Sequence, residues 1–325
     1  MAVYTDVSAD DIGAFVADYD IGAVLTFKGI AEGVENSNYL LQTEGGNFIL
    51  TLYEKRVRAE DLPFFIGLMD HLAAKGINCP RPLHDRNGVA LKILCGRPAA
   101  IVSFLQGISL RRPSFAQCGA VGRAMAEMHL AALDYPGFRA NNLSLSGWQD
   151  LAARCAAGSD EVAAGLEKTI LDELAFLEKA WPKDLPMGVI HADLFPDNVF
   201  FLGERLSGLI DFYFACNDFL AYDLAVSINA WCFEADGAFN VTKARQMTAG
   251  YIAARPLSPT ELAAMPLLCR GSALRFLLTR LYDWRNQVPG ALVRPHNPIP
   301  FLQRLRFHQH ASSAAAYGLE PATLA

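Results

Sequence analysis

Paired cysteines are missing from this chain. Its seven Cys (79, 95, 118, 155, 216, 232 and 269) are odd in number and none stands in a Cys-x-x-Cys pair. Most have apolar neighbours, which suits thiols kept reduced in a cytoplasm and gives no support to a zinc site. An excess of basic residues is missing as well: a net charge of −6 gives no support to a nucleic-acid or polyanion partner. No apolar run approaches the ~20 residues that span a bilayer, so no membrane partner is expected. The start, Met1-Ala2-Val3-Tyr4-Thr5-Asp6, has no basic segment followed by an apolar one, and a signal peptide is not expected. Internal repeats and low-complexity segments are absent too.

What is present is apolar mass. Over 325 residues, 52% are apolar and 19% charged, enough for two lobes with buried cores around a cleft. Residues 8–19 read as a short amphipathic helix with Ser8 as N-cap. Three strands follow, Val24-Leu25-Thr26-Phe27, Asn38-Tyr39-Leu40-Leu41 and Phe48-Ile49-Leu50-Thr51-Leu52-Tyr53, the last two joined through Glu44-Gly45-Gly46-Asn47. A helix over 59–75 keeps Pro63 in its first turn and stops at Gly76. Glu60, at its start, is either a partner for a strand lysine or a solvated first-turn acid. A second hairpin, 89–94 and 99–104, turns at Cys95-Gly96-Arg97. Beyond Ser103-Phe104-Leu105-Gln106-Gly107 the pattern becomes helical, with helices expected at 114–134, 161–181, 222–235, 241–254, 260–285 and 299–312. His129, near the end of the first of these, reads as a satisfied or capping histidine.

One polar stretch interrupts that helical half. Val189-Ile190-His191-Ala192-Asp193-Leu194-Phe195-Pro196-Asp197-Asn198-Val199-Phe200-Phe201 sets H-x-D-x-x-x-x-N between two apolar runs. In kinase-type phosphoryl transfer an Asp accepts the proton of the attacking hydroxyl, and an Asn of the same loop holds Mg²⁺. Asp193 and Asn198 stand at that spacing. Downstream, Leu209-Ile210-Asp211-Phe212 brings a second Asp off an apolar strand, the setting of the Asp that holds Mg²⁺ between phosphates. Asp193 is therefore the expected base, and Asn198 and Asp211 the expected metal ligands. The bland alternative, turn-forming Asp and Asn, explains each element singly but not loop, strand and second Asp in order.

The nucleotide side is less clearly written. Gly29-Ile30-Ala31-Glu32-Gly33-Val34-Glu35-Asn36-Ser37 has small residues whose N–H groups could cover phosphates, but it lacks G-x-G-x-x-G. Gly33, Asn36, Ser37 and Asn38 are the candidates there. Ser103 and Leu105, where the chain crosses between lobes, could meet an adenine ring through their backbone.

With these residues assembled, the chain resembles the aminoglycoside phosphotransferase and choline kinase superfamily, and within it the homoserine kinases. The match runs through Gly33-Val34-Glu35-Asn36-Ser37-Asn38-Tyr39, Phe48-Ile49-Leu50-Thr51-Leu52-Tyr53-Glu54, the stretch 191–201, Ile210-Asp211-Phe212 with Tyr222-Asp223-Leu224-Ala225, and Arg275-Phe276-Leu277-Leu278-Thr279-Arg280-Leu281-Tyr282-Asp283. The resemblance implies an α+β, two-lobed protein-kinase-like fold: an antiparallel N-lobe over 1–104, a hinge at 103–107 and a helical C-lobe over 105–325. It also implies ATP and Mg²⁺ as cofactors and transfer of phosphoryl to the hydroxyl of homoserine, a step of threonine biosynthesis. One departure stands out: Thr51 occupies the third-strand position where kinases keep a lysine, with Lys28, Lys55 and Arg56 as possible substitutes. A protein kinase is disfavoured, because Tyr213 rather than Gly follows Phe212 and no A-P-E comes after it. Two rivals remain: a kinase for another small amino-alcohol, and a nucleotide-binding pseudokinase.

A zwitterionic acceptor needs a cation for its carboxylate and an acceptor for its ammonium. Leu277, Arg280, Leu281 and Trp284 share one helical stripe, which sets a guanidinium on an apolar face. Arg280 must snorkel to water, pair with a protein acid such as Asp223 or Asp283, or meet the ligand, and the resemblance favours the ligand. Asp223 and Trp231 complete the expected substrate group, with Asp218 and Glu234 as further ammonium candidates.

Overall fold

The computed structural model describes residues 5–30, 36–54, 57–287 and 295–319. The N-terminal elements are α1 (Ala9–Val16), β1 (Val24–Gly29), β2 (Ser37–Thr43), β3 (Gly46–Leu52), α2 (Leu62–Ala74), β4 (Lys92–Leu94) and β5 (Arg97–Ser103). Ser8 caps α1 reciprocally with Asp11. The strands form one antiparallel sheet in the order β1-β2-β3-β5-β4. Its tight β4–β5 turn puts Cys95 and Gly96 at φ 49° and 74°, the mirror-image turn whose twist matches paired strands. Alternation along the strands gives the sheet two apolar faces. Leu41, Leu50, Leu52 and Ile101 share one core with Ile12, Phe15 and Val16 of α1. Tyr53, Ala100 and Val102 belong instead with Phe65, Met69 and Leu72 of α2, in the core that continues through the helical half.

The chain leaves this sheet through 104–107. Gly107 has φ +144°, and a Cβ there would collide with Ser207 and Phe200. The tight approach lets Ile108 and Phe201 exchange backbone hydrogen bonds, both 3.0 Å, so the crossing segment lies directly on the strand that follows the polar loop.

The helical half contains α3 (Phe115–Ala131), α4 (Leu145–Cys155), α5 (Leu166–Ala180), β6 (Met187–Ile190), β7 (Val199–Leu202), β8 (Arg205–Leu209), β9 (Cys216–Phe219), α6 (Leu220–Trp231), α7 (Val241–Ala254), α8 (Pro259–Arg285) and α9 (Ile299–His310). Two elements were not legible in the sequence. α4 buries Trp148, Leu151 and Cys155, but Gly147 and its polar neighbours blur the period. β9 gains its identity only by pairing with β6. α5 starts later than expected because Gly165 adopts φ +74° just before it. The expectation of no membrane-length run also needs correcting. α8 is long and apolar enough by composition, with mean hydropathy 1.3 over its best window, of which 72% is buried within the protein. A helix apolar on most sides is the usual core helix, and here Leu268, Leu274, Leu277 and Leu281 are all fully buried. Six of the seven cysteines are buried and free; Cys95 is exposed and free.

Candidate active site

The polar loop leaves β6, makes one short helical turn at Pro196–Asn198 and enters β7. Its shape is imposed from beneath by a buried carboxylate. Asp223, in the first turn of α6, accepts the N–H of His191 at 2.8 Å and that of Ala192 at 2.8 Å, and His129 Nε2 donates to it at 3.0 Å. Tyr251 donates to the other nitrogen of His129 at 2.8 Å. Burial alone would raise the Asp223 carboxyl, but its hydrogen bonds and the neighbouring imidazoles outweigh that and hold it below the ordinary carboxylate range. His191 faces the other way. Its Nε2 donates to Ile210 O at 2.9 Å, which leaves Nδ1 to accept the Asp193 N–H at 3.3 Å. Burial lowers the His191 pKa and so favours this neutral form. One imidazole thereby ties the loop bearing Asp193 to the strand end bearing Asp211.

Two further anchors come from distant sequence. Arg275 of α8, fully buried, donates to Ala192 O at 2.5 Å, and Trp231 Nε1 donates to Leu194 O at 2.8 Å. Ala192 and Asp211 are both non-glycine residues in the left-handed region, at φ 63° and 64°. Strained backbone of this kind persists where surrounding contacts over-determine it.

Within this frame Asn198 Nδ2 donates to Asp193 O at 2.8 Å and to Asp193 Oδ2 at 3.2 Å, which leaves the Asn198 amide oxygen for another partner. Ile210 N–H donates to Asn198 O at 3.0 Å, setting Asp211 beside Asn198. The Asp211 carboxyl opens onto the cleft but is closely surrounded by protein. Burial pushes it up to about 6, Asp197 adds to the rise, and the Tyr213 N–H opposes it. The Asp211 carboxylate and the Asn198 amide oxygen, on segments joined by that backbone bond, are hard donors suited to Mg²⁺, which keeps several waters and needs few protein ligands.

Tyr213 spans the gap left by the absent strand lysine. Its hydroxyl lies 3.1 Å from that of Tyr53, beyond the end of β3, and hydrogen-bonds Thr51 as well. Its ring meets Phe65 of α2 edge-on at 5.7 Å. Thr51 in turn donates to Asn38 Oδ1 at 2.8 Å. Neutral hydroxyls and an aromatic edge therefore connect sheet, α2 and the Asp211 turn. Sequence reading singled out Thr51 and Tyr213 as departures, but their contact is purely tertiary. Glu60 does not take part; it pairs with Arg58 on the surface.

Several expected ligand residues are placed elsewhere. Asp223 and Trp231 are buried beneath the loop with their polar atoms committed to it, so they support the site and do not face the acceptor. Asp218 accepts from Asn141 and its own neighbour Phe219, and Glu234 pairs with Lys243 at 2.8 Å. Asn36 and Ser37 are buried with their side chains on Glu54, at 3.3 Å to its N–H and 2.7 Å to its carboxylate. Ser103 spends its amide and hydroxyl on Arg81, at 2.8 and 2.9 Å, so those groups do not reach a base. Leu105 is partly exposed on the crossing segment. Gly33, Lys55 and Arg56 lie outside the described residues, and Lys28 is exposed on β1. Arg280 does reach the site: it is half-buried, within electrostatic reach of Asp193 and Asp197, and its guanidinium sits 4.5 Å from the Phe301 ring centre. It pairs with neither Asp223 nor Asp283 among the described residues.

A small antiparallel lobe over a helical one, with this loop and strand-end Asp in the cleft, defines a kinase-type phosphotransferase. The model of the phosphotransferase enzyme family (APH) matches residues 26–257, and the chain belongs to that family. Its similarity to homoserine kinases is close: 62% identity over 318 residues to that of Allorhizobium ampelinum, covering 98% of this chain and 99% of that protein. The homoserine kinase of Xanthobacter autotrophicus is 60% identical over 319 residues, with 98% and 99% covered. Among solved structures, the amicoumacin kinase hAmiN has a TM-score of 0.68 at 13% identity, with 94% of this chain and 95% of that one covered. Choline kinase from Cryptosporidium parvum has 0.67 at 14%, with 93% and 94% covered. These structural matches speak for the two-lobed fold.

Proposed function

We propose that this protein transfers the γ-phosphoryl group of ATP to the side-chain hydroxyl of L-homoserine, giving O-phospho-L-homoserine. What carries the reading is the convergence of Asp193, Asn198 and Asp211 in a chain whose full length is similar to homoserine kinases. Asp193 orients the acceptor hydroxyl and takes its proton as the bond to phosphorus forms. Asn198 and Asp211 hold Mg²⁺, which when bound neutralises charge on the transferring phosphates. Arg280 receives the acceptor carboxylate, since a planar guanidinium matches two carboxylate oxygens. Leu105 presents backbone to the adenine. Homoserine-dependent release of ADP is the direct test. Nucleotide binding without turnover would point to a pseudokinase, and turnover with choline, ethanolamine or an aminoglycoside in preference to homoserine would point to the sister specificity.

The metal assignment has its own check. Asp211→Ala is expected to abolish Mg²⁺-dependent nucleotide binding in calorimetry, and Asn198→Ala to raise the Mg²⁺ requirement. Protons compete for the Asp211 carboxylate once the pH falls below its value of about 6, so Mg²⁺ half-saturation should rise by about tenfold per pH unit below that. The stability sign is the reverse. The metal-free native state binds this proton more tightly than the unfolded chain does, so the group favours folding at low pH, and that contribution disappears as pH rises through about 6. A metal titration unchanged in both variants would place the ion elsewhere.

Arg280→Lys keeps the charge but loses the fork. It is expected to raise KM for homoserine by about tenfold, ~1.4 kcal/mol, with KM for ATP and Tm nearly unchanged. A large fall in Tm with homoserine KM intact would make Arg280 structural.

A further inference from the structure

Among the described residues, most partly buried arginines have acid partners. Arg139 donates to Asp61 at 2.8 Å, Arg255 pairs with Glu261 at 2.9 Å, and Arg270 binds Glu173 through two hydrogen bonds of 2.6 and 2.7 Å. Two break the pattern. Arg280 of α8 has only a 3.5 Å approach to Asn297 O, and Arg304 of α9 has no hydrogen bond or ion pair among the described residues. Both guanidiniums lie against the same ring, 4.5 and 4.4 Å from the centre of Phe301, and Arg304 also lies 5.3 Å from Phe233.

Aromatic faces attract cations, but they do not satisfy five N–H donors. Two like charges held together, both half-buried, are disfavoured unless an anion joins them. Burial, with Arg280 adding repulsion, pulls Arg304 down to about 10. Burial also lowers Arg280, against the opposing pull of Asp193 and Asp197. The two guanidiniums thus share one aromatic ring, and Arg280 lies within electrostatic reach of the expected base.

We propose that Arg304 joins Arg280 in a two-guanidinium clamp for the carboxylate of the acceptor, with Phe301 as the spacer between them. The inference rests on homoserine as the acceptor and deepens that reading. An acceptor held by its carboxylate at the clamp presents its far hydroxyl to Asp193, which separates an amino acid from an amino-alcohol lacking the acid group. Phe301 packs in turn on Phe276, 5.2 Å between ring centres, and Phe276 on Phe195 of the polar loop at 4.8 Å. Clamp and base therefore share one rigid aromatic bed.

The test compares L-homoserine with 3-amino-1-propanol, the same amino-alcohol without its carboxylate. Arg304→Ala is expected to raise KM for homoserine by about tenfold, ~1.4 kcal/mol. The kcat/KM for 3-amino-1-propanol and the KM for ATP should stay unchanged, so selectivity between the two acceptors narrows. Arg304→Gln, which is shorter and uncharged but keeps a polar side chain and most of the apolar stem, guards against misfolding and should show the same narrowing with an unaltered Tm. Homoserine turnover with unchanged selectivity in folded Arg304 variants would overturn the clamp, as would equal losses for both acceptors. Wild-type protein that turns over no homoserine would overturn the functional reading itself, which the variants leave untouched.

Discussion

Asp193→Asn is expected to lower kcat by at least ~10², the low end of what a positioned general base supplies. The substitution preserves size, and the surroundings hold the backbone in place: the Asp193 N–H rests on His191 and its carbonyl accepts from Asn198 at 2.8 Å. What is lost is an oxygen able to accept the acceptor's proton. The transition state of phosphoryl transfer is loose, so most of the loss reflects orientation of the hydroxyl and late proton transfer. Nucleotide and metal binding are carried by other groups, so KM for ATP should change little. Steady-state kinetics with both substrates varied will measure this. Near-normal turnover in the variant would remove Asp193 from the role.

Asp223→Ala should have the largest effect on stability. The residue is fully buried and its two oxygens accept three hydrogen bonds. Deleting it strands two loop N–H groups and the His129 imidazole in the interior. Removing one partner from a buried, hydrogen-bonded charge network costs ~3–5 kcal/mol, enough to drop the melting temperature by many degrees in thermal unfolding. Activity should fall with it, because the deleted carboxylate is what shapes the loop carrying Asp193. Its folded-state pKa lies below the ordinary range, so its contribution is present above that range and is lost only as the pH falls through the lowered value. A variant with normal Tm but a raised KM for homoserine would return Asp223 to the acceptor site.

These two aspartates mark the boundary between what sequence carries and what folding adds. The role proposed for Asp193 is written in a fixed local spacing: proposed base, turn and proposed amide ligand sit within one loop, and chain geometry alone brings them together. The same holds for Asp211 at a strand end, for the Ser8 cap and for the turn at Cys95-Gly96, whose signals are short-range sterics and hydrogen bonds. The hydrophobic periods of β1–β3, α3 and α8 likewise announce elements that bury one face or all of them.

Asp223, Arg275 and Trp231 carry no such local signature. An acid early in a helix reads as a cap or a ligand, and only its depth beneath the loop, with His129 arriving from α3, makes it a support. Arg304 looks ordinary on its helix, and Arg280 stands out in sequence only as a guanidinium on an apolar stripe. Their meaning arises because α8 and α9 bring both against one phenylalanine, and neither forms an ion pair with an acid among the described residues. Thr51 and Tyr213, each a departure from the kinase pattern, meet only in the folded protein. By itself the sequence carried the chemistry proposed for this protein, since loop spacing is a local property of the chain. Which buried polar groups hold that chemistry in place was decided only by tertiary structure, because desolvation and pairing depend on neighbours that distant segments supply.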